Sequence, residues 1–281
     1  ISTATPDQLH AAVSIAAATA GKHVLCEKPL ATSYAEARRM VAAAKRKGVI
    51  NMVNLSYRNT PAIQQAARII HSGRLGEVRH VQAHYLQGWL TGKYWGDWRT
   101  GSSWLWRLST RHGSTGALGD LGVHIVDFAS FPVGPVKKVA CTLKTLRKAP
   151  RNRIGRYHLD ANDTAVITAE FANGALGSIT ATRWATGCAN TVKVSIHCDQ
   201  GALEVDLDRS AKTLMLCEGE DIHRNLWKEV PCPGTPDIYQ RFIKSIQTGI
   251  NDQPDFARGA EIQKVLDACI WSNASGRAVR V

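Results

Sequence analysis

The chain has 281 residues, 44% of them hydrophobic and 21% charged, and a formal net charge of +12. This is the composition of an ordinary globular protein with chain enough for two domains, and it excludes a disordered or collagen-like polymer. No apolar run approaches membrane-spanning length, the seven scattered Cys without a C-x-x-C pair argue for free thiols against a disulfide scaffold or zinc site, and the basic residues are too dispersed for a nucleic-acid surface.

Residues 7–20 are Ala-rich with helical periodicity and stop at Gly21. His23 to Cys26 reads as a short buried strand. Thr32 or Ser33 caps the next helix, which runs to about Lys47, and Glu36 stands at capping-box distance from Ser33. The basic run Lys45-Arg46-Lys47 suits the negative end of that helix dipole. Val49 to Leu55 is the following strand. Strand, helix and strand in alternation predict a parallel sheet covered by helices. A helix of about ten residues follows Pro61 and ends at Ser72-Gly73.

The pattern changes after Gly76. Val78 to Gln87 alternates as a strand, a Trp-rich stretch follows, and a helix carries Asp120 and His124. Beyond Val136 most segments are strands. Thr164 to Ala172 and Ala175 to Thr182 flank Asn173-Gly174, a strong hairpin signal. Val192 to His197, Ala202 to Asp206 and Thr213 to Cys217 extend a mostly antiparallel sheet. Helices at Ile238 to Gln247 and Ala257 to Ser272 are expected to cover one face.

Two segments carry chemistry. The first, Gly21-Lys22-His23-Val24-Leu25-Cys26-Glu27-Lys28-Pro29, ends in Glu-Lys-Pro just past a strand. A cation at a strand's carboxyl end sits where open α/β sheets bind ligands. An ammonium beside a reacting oxygen stabilises developing negative charge, and Pro29 restricts Lys28 to extended backbone. Taken alone, Glu27 and Lys28 are equally well exposed turn residues.

The second segment is Gly116-Ala117-Leu118-Gly119-Asp120-Leu121-Gly122-Val123-His124-Ile125-Val126-Asp127. Asp120 and His124, four residues apart, share one helix face. Imidazole, with an unperturbed pKa of about 6.5, is the natural proton acceptor. Asp120 is expected to orient it or to contact a substrate hydroxyl. Taken alone, the pair is a structural helix contact of a few tenths of a kcal/mol. The glycines of this segment are poor helix formers, tolerated where something approaches closely.

Together, in this order and spacing, the two segments resemble the Gfo/Idh/MocA family of nicotinamide-dependent sugar and cyclitol oxidoreductases. The resemblance implies an α/β Rossmann-type dinucleotide-binding domain followed by an α+β domain built on an open, mostly antiparallel sheet covered by helices. Family members usually open with a strand, a Gly-x-Gly-x-x-Gly turn and a helix that hold the pyrophosphate. This chain opens at Ile1-Ser2-Thr3-Ala4-Thr5-Pro6-Asp7-Gln8-Leu9-His10, which resembles the family's later Thr-Pro-x-x-x-His turn. Residues 1–58 are therefore expected to be the C-terminal half of the dinucleotide-binding domain. Residues 59–281 are expected to form the substrate-binding and oligomerisation domain.

The same resemblance implies roles. Lys28 touches both cofactor and substrate, and Glu27 meets the cofactor ribose or holds Lys28. Thr5, Pro6 and His10 lie beside the nicotinamide ribose, although His10 serves equally as a cap or packing residue. Arg58, with Tyr57, lines the junction of cofactor and substrate or is simply solvated. Lys28, Asp120 and His124 form the catalytic set, and Asp127, one turn on, anchors its helix. The implied cofactor is NAD or NADP and the implied partner a small carbohydrate or cyclitol, with no nucleic acid and no membrane. A cytoplasmic homo-oligomer is expected. The reaction is hydride transfer to or from a secondary hydroxyl or ketone. Two alternatives come with the fold: an NAD-dependent glycosidase, and a non-catalytic cofactor- or sugar-sensing protein.

Five of the eight Trp fall between Gly88 and Arg107: Trp89, Trp95, Trp98, Trp104 and Trp106. Indole faces suit the apolar faces of sugar rings, and their N–H groups reach hydroxyls. Trp89 and Trp95 are expected to wall the substrate pocket, the plain alternative being a subunit interface or a satellite core. Lys93, Arg99, Arg107 and Arg111 suit an acidic sugar or are the scatter of a basic chain. His71, His80 and His84 have no carboxylate or Cys at ligand spacing, so no metal is expected.

Overall fold

The computed structural model describes residues 1–281, apart from the side chain of Ser102. In the first part β1 (Ser2–Thr3), α1 (His10–Thr19), β2 (Val24–Cys26), α2 (Tyr34–Lys47) and β3 (Asn51–Val53) alternate. The three strands pair in parallel in the order β1-β2-β3. α2 begins as its sequence predicts, with Ser33 Oγ accepting from the Glu36 N–H at 3.3 Å. Such a cap contributes about 1 kcal/mol. The Glu36 side chain accepts from the Thr32 hydroxyl at 2.8 Å instead of closing a capping box on Ser33.

The second part begins with α3 (Pro61–His71) and β4 (Val78–Leu86). An aromatic lobe containing the short α4 (Ser102–Leu105) follows, and a π-helical turn (Leu118–Gly122) runs into α5 (Val123–Val133). The strands are β5 (Val136–Lys144), β6 (Arg153–Ile154), β7 (Tyr157–His158), β8 (Thr164–Phe171), β9 (Leu176–Thr182), β10 (Thr191–Cys198), β11 (Gly201–Asp206) and β12 (Thr213–Glu218). Then come α6 (Glu220–Arg224), β13 (Lys228–Pro231), α7 (Ile238–Thr248), α8 (Phe256–Ser275) and β14 (Val279–Arg280). Nine strands make one sheet in the order β13-β12-β11-β10-β4-β9-β8-β5-β14. Its neighbours are antiparallel except β4 and β9, which are parallel.

The period of two along β8 explains the layering. Ala165, Ile167, Ala169 and Phe171 are buried against the helices, while Val166 and Leu176 are 50% and 56% exposed on the open face. The Asn173-Gly174 turn closes β8 on β9 and brings the Thr164 and Thr182 hydroxyls to 2.7 Å.

The expected boundary at residue 58 is crossed by the last helices. The Tyr34 N–H donates to Asp267 of α8 at 2.8 Å, and the Phe256 N–H donates to Asn51 Oδ1 at 2.9 Å. Gly259 lets α8 settle on the loop after Pro29, because a Cβ there would lie 2.8 Å from Leu30 Cδ2. The main core accordingly joins Met40 and Leu55 of the first part to Phe128, Phe171 and Leu266 of the second. A separate small core of Leu90, Trp98, Leu105 and Leu108 underlies the aromatic lobe. Among the described residues no helix is long and apolar enough to cross a membrane.

Candidate active site

The carboxyl ends of β1, β2 and β3 deliver Thr5, Glu27 and Asn54 side by side, the location where open parallel sheets take ligands. Asn54 donates to Glu27 Oε1 at 2.6 Å, and the Lys28 N–H donates to Glu27 Oε2 at 3.3 Å. Thr5 Oγ1 and Asn54 Oδ1 are buried without a partner. His10 is 1% exposed, with Nδ1 2.7 Å from the Pro29 carbonyl and Nε2 2.9 Å from the Thr5 carbonyl. It ties the two turns together while also lining the cleft between the two parts of the chain. The Lys28–Pro29 peptide is cis.

Lys28 reaches across to the second part of the chain. Its Nζ donates to Asp120 Oδ1 at 2.7 Å and to the Asp120 carbonyl at 3.2 Å. Of the expected α-helical pair, His124 stands in α5 but Asp120 is set on the π-helical turn before it, whose wider ring of hydrogen bonds is a common device at functional sites. Gly119 sits inside that turn because a Cβ would lie 2.3 Å from Thr115.

Asp120 does not orient His124. Its second oxygen, Oδ2, accepts from Arg183 Nη2 at 2.9 Å, so one carboxylate bridges two cations from opposite sides. Burial pushes this carboxyl up, but Lys28 and Arg183 outweigh it and hold the group well below the usual carboxylate range. Arg183 itself is 1% exposed, donates from Nη1 to the Arg107 carbonyl at 2.8 Å and lies 5.5 Å from the Trp89 ring centroid.

His124 stands one turn on, 7% exposed, packed edge-on against Tyr57 at 4.8 Å and Tyr85 at 6.2 Å. Its Nδ1 is buried without a partner. Burial, reinforced by the charge of Lys28, pushes the imidazole down to about 3 against the opposing pull of Asp120 and Asp127. It is therefore neutral throughout the physiological range.

A cleft of about 190 Å³ opens between the two parts of the chain. Thr5, Asp7 and Lys28 line one side, and Trp106, Asp120 and Arg183 the other. Asp7 is a second carboxyl in this space. Burial pushes it up, and His10, Lys28 and a 3.3 Å hydrogen bond from Thr115 pull it back only in part. His124 is not among the residues that line this cleft.

Three expectations need correction. Arg58 is 4% exposed and forms a two-pronged ion pair with Asp127, at 2.9 and 2.6 Å, which Arg258 joins at 2.8 Å. Its guanidinium is locked in this interior ion pair and does not line the cleft. Trp89 is 3% exposed with its N–H on Gln87 Oε1 at 3.0 Å, so it is framework rather than pocket wall. Trp95 is 39% exposed but outside the cleft, stacked on Trp104. The indole that does face the cleft is Trp106. Among the expected acidic-sugar contacts, Lys93 and Arg99 pair with Asp97, and Arg107 alone lines the cleft. His71 packs edge-on against Phe131, and His80 stacks on His197.

Arg183 and Asp7 escaped the sequence reading, and Trp106 was named there only as one of the five clustered indoles. Asp7 stands in the Thr-Pro turn that was singled out, and its place there was the available signal. Arg183 gave none, because its partner is 63 positions away.

Comparison with known proteins assigns both parts of the chain to one family. Residues 1–55 match the model described as an oxidoreductase family with an NAD-binding Rossmann fold, and residues 63–204 match the GFO/IDH/MocA C-terminal domain. Levoglucosan dehydrogenase of Pseudarthrobacter phenanthrenivorans is 31% identical over 96% of this chain, which spans 77% of that protein. The structure of levoglucosan dehydrogenase in complex with NADH and levoglucosan superposes with a TM-score of 0.88 at 31% identity, over all of this chain and 79% of that one. An oxidoreductase domain protein from Kribbella flavida gives a TM-score of 0.87 at 33% identity, with the same coverage.

Proposed function

This chain belongs to the Gfo/Idh/MocA oxidoreductase family, and on that premise we propose that it transfers a hydride between NAD or NADP and a secondary hydroxyl or ketone of a carbohydrate or cyclitol. The strand ends fit the nicotinamide end of a dinucleotide. Thr5 Oγ1 and Asn54 Oδ1, buried and unpartnered there, are the polar groups such a ligand would satisfy. Bound at that place, the nicotinamide supplies the hydride acceptor or donor.

The remaining work falls to side chains. Lys28, fixed by Asp120, presents its ammonium where negative charge develops on the reacting oxygen. Asp120 stays ionised between its two cations and offers a carboxylate, a third exposed, to substrate hydroxyls. His124, which is neutral but does not line the cleft, is proposed to take the hydroxyl proton in oxidation and return it in reduction once a substrate oxygen reaches past Lys28. Arg183 holds Asp120 in place from behind, and Trp106 and Thr5 shape the walls.

The observation that carries this reading is the 2.7 Å bridge from Lys28 to Asp120, which joins two segments 92 positions apart beside a neutral imidazole. The test is calorimetric titration with NAD⁺ and NADP⁺, followed by the rise of reduced-nicotinamide absorbance over a panel of sugars and cyclitols. Turnover by wild type and its loss in Lys28→Met are expected. Binding of neither nucleotide, or equal turnover by the variant, overturns the reading. The same proposal takes the protein as a cytoplasmic homo-oligomer. Seven free thiols suit a reducing compartment, and the open sheet face with Val166 and Leu176 suits a second copy.

A further inference from the structure

We propose that Tyr94, Trp95 and Trp104 form a second carbohydrate subsite outside the cleft, so that the sugar ring in the cleft is presented as one unit of a glycoside or disaccharide. The inference rests on the oxidoreductase reading only for what happens to the ring inside.

The cleft, at about 190 Å³, falls below the roughly 300–1,000 Å³ of pockets for drug-sized ligands. It has room for no more than one sugar ring, so a second unit would have to lie outside. Its outer wall continues directly into aromatic surface. Arg107 lines the cleft, and its guanidinium carbon lies 4.7 Å from the Trp106 centroid and 5.5 Å from that of Trp104. Trp104 in turn stacks on Trp95 with centroids 6.0 Å apart and planes at 7°. The platform thus begins one side chain beyond the cleft.

Two of these rings are left in water: Trp95 is 39% exposed and Tyr94 46%. They are nevertheless held stiffly. The Tyr94 hydroxyl accepts from the Gly88 N–H at 2.9 Å and donates to the Cys188 carbonyl at 3.0 Å. The Tyr94 ring meets Trp95 edge-on at 5.1 Å, and Trp104 is backed by the buried Trp89 at 5.2 Å. Surface aromatics fixed before binding lose little entropy when a ligand arrives. Around them Asp97 holds Lys93 at 3.0 Å and Arg99 at 3.7 Å, a rim of charged donors and acceptors. A flat apolar face with a polar border complements a sugar ring, which has apolar C–H faces and a girdle of hydroxyls. A protein partner is a poorer fit, since a stable interface buries about 800 Å² per side and this patch is two rings bounded by ion pairs.

The test is binding of the intact protein to a printed array on which each monosaccharide appears alone and as the terminal unit of its disaccharides. At least one disaccharide is expected to bind about fivefold to tenfold more tightly than its monosaccharide. Trp95→Ala should abolish that gain with monosaccharide binding unchanged, and Trp95→Phe should keep part of it. A disaccharide gain in no pair, or a gain that survives in Trp95→Ala, overturns the subsite. Turnover is scored separately: a disaccharide gain without any nicotinamide reduction removes the oxidoreductase reading and leaves the subsite standing.

Discussion

Arg183 and Asp120 form a half-hidden ion pair in which the cation is 1% exposed and the carboxylate 33%, with 2.9 Å between Nη2 and Oδ2. The inner partner therefore positions the outer one, and the other carboxylate oxygen is turned to Lys28 beside the cleft. Replacing Arg183 by Met removes the cation that offsets much of the burial of Asp120. Loss of about 2 kcal/mol is expected by urea midpoint, less than the roughly 3–5 kcal/mol for a fully buried pair because Asp120 is partly hydrated. Arg183→Lys should recover little, since one ammonium cannot serve both Asp120 and the Arg107 carbonyl.

Lys28 contributes to the depressed ionisation of His124, second only to burial. In Lys28→Met the imidazole should rise from about 3 toward its ordinary value. The rise is read as an upward move of the His124 titration followed by NMR, or of the acid limb of any residual kcat/KM profile. A titration that stays where wild type has it would separate the two residues electrically.

His124→Ala is expected to lower turnover by about 10²-fold or more while circular dichroism is unchanged. Wild-type rates in this variant would leave proton transfer to another group, with Asp7 the first alternative in the cleft.

The same imidazole sets a pH dependence of stability. Unfolded, it takes a proton at about pH 6.5, whereas in the fold it does so only at about 3. Between these values the unfolded chain binds the extra proton, so stability is full above the first and falls as pH drops through the second. His124→Gln should flatten this part of the curve of denaturant midpoint against pH. An unaltered slope would assign the acid sensitivity to the carboxylates.

Arg58→Ala distinguishes framework from cofactor contact. It strands Asp127, 1% exposed, with Arg258 as its remaining cation, and a loss of about 3–5 kcal/mol is expected. Nucleotide affinity per folded molecule should be unchanged. Weaker affinity without loss of stability would restore the original expectation for this residue.

The sequence was most informative where chemistry and local rules coincide. Lys28 stands just past a strand and His124 on a helix, and those positions follow from short-range patterns. Asp127 was read as a helix anchor and is found paired with Arg58 and Arg258. The π-helical turn was signalled by Gly119 and Gly122, yet a four-residue spacing reads as α-helix by default. Which indole faces the cleft was not legible, because Trp89 and Trp106 differ only in how the lobe folds over its small core. Arg183 is one arginine among many in a basic chain. Only the pairing of β9 between β4 and β8 carries it behind Asp120.

Gly259 and its helix bear on how the molecule is made. The Phe256 amide that seals Asn51 belongs to a segment synthesised 205 positions later. During translation the Leu25, Ile50 and Met52 side of the small parallel sheet stays open to chaperones until Ile238 and Phe242 of α7 emerge to cover it. A fragment cut after β3 should accordingly precipitate rather than bind nucleotide on its own.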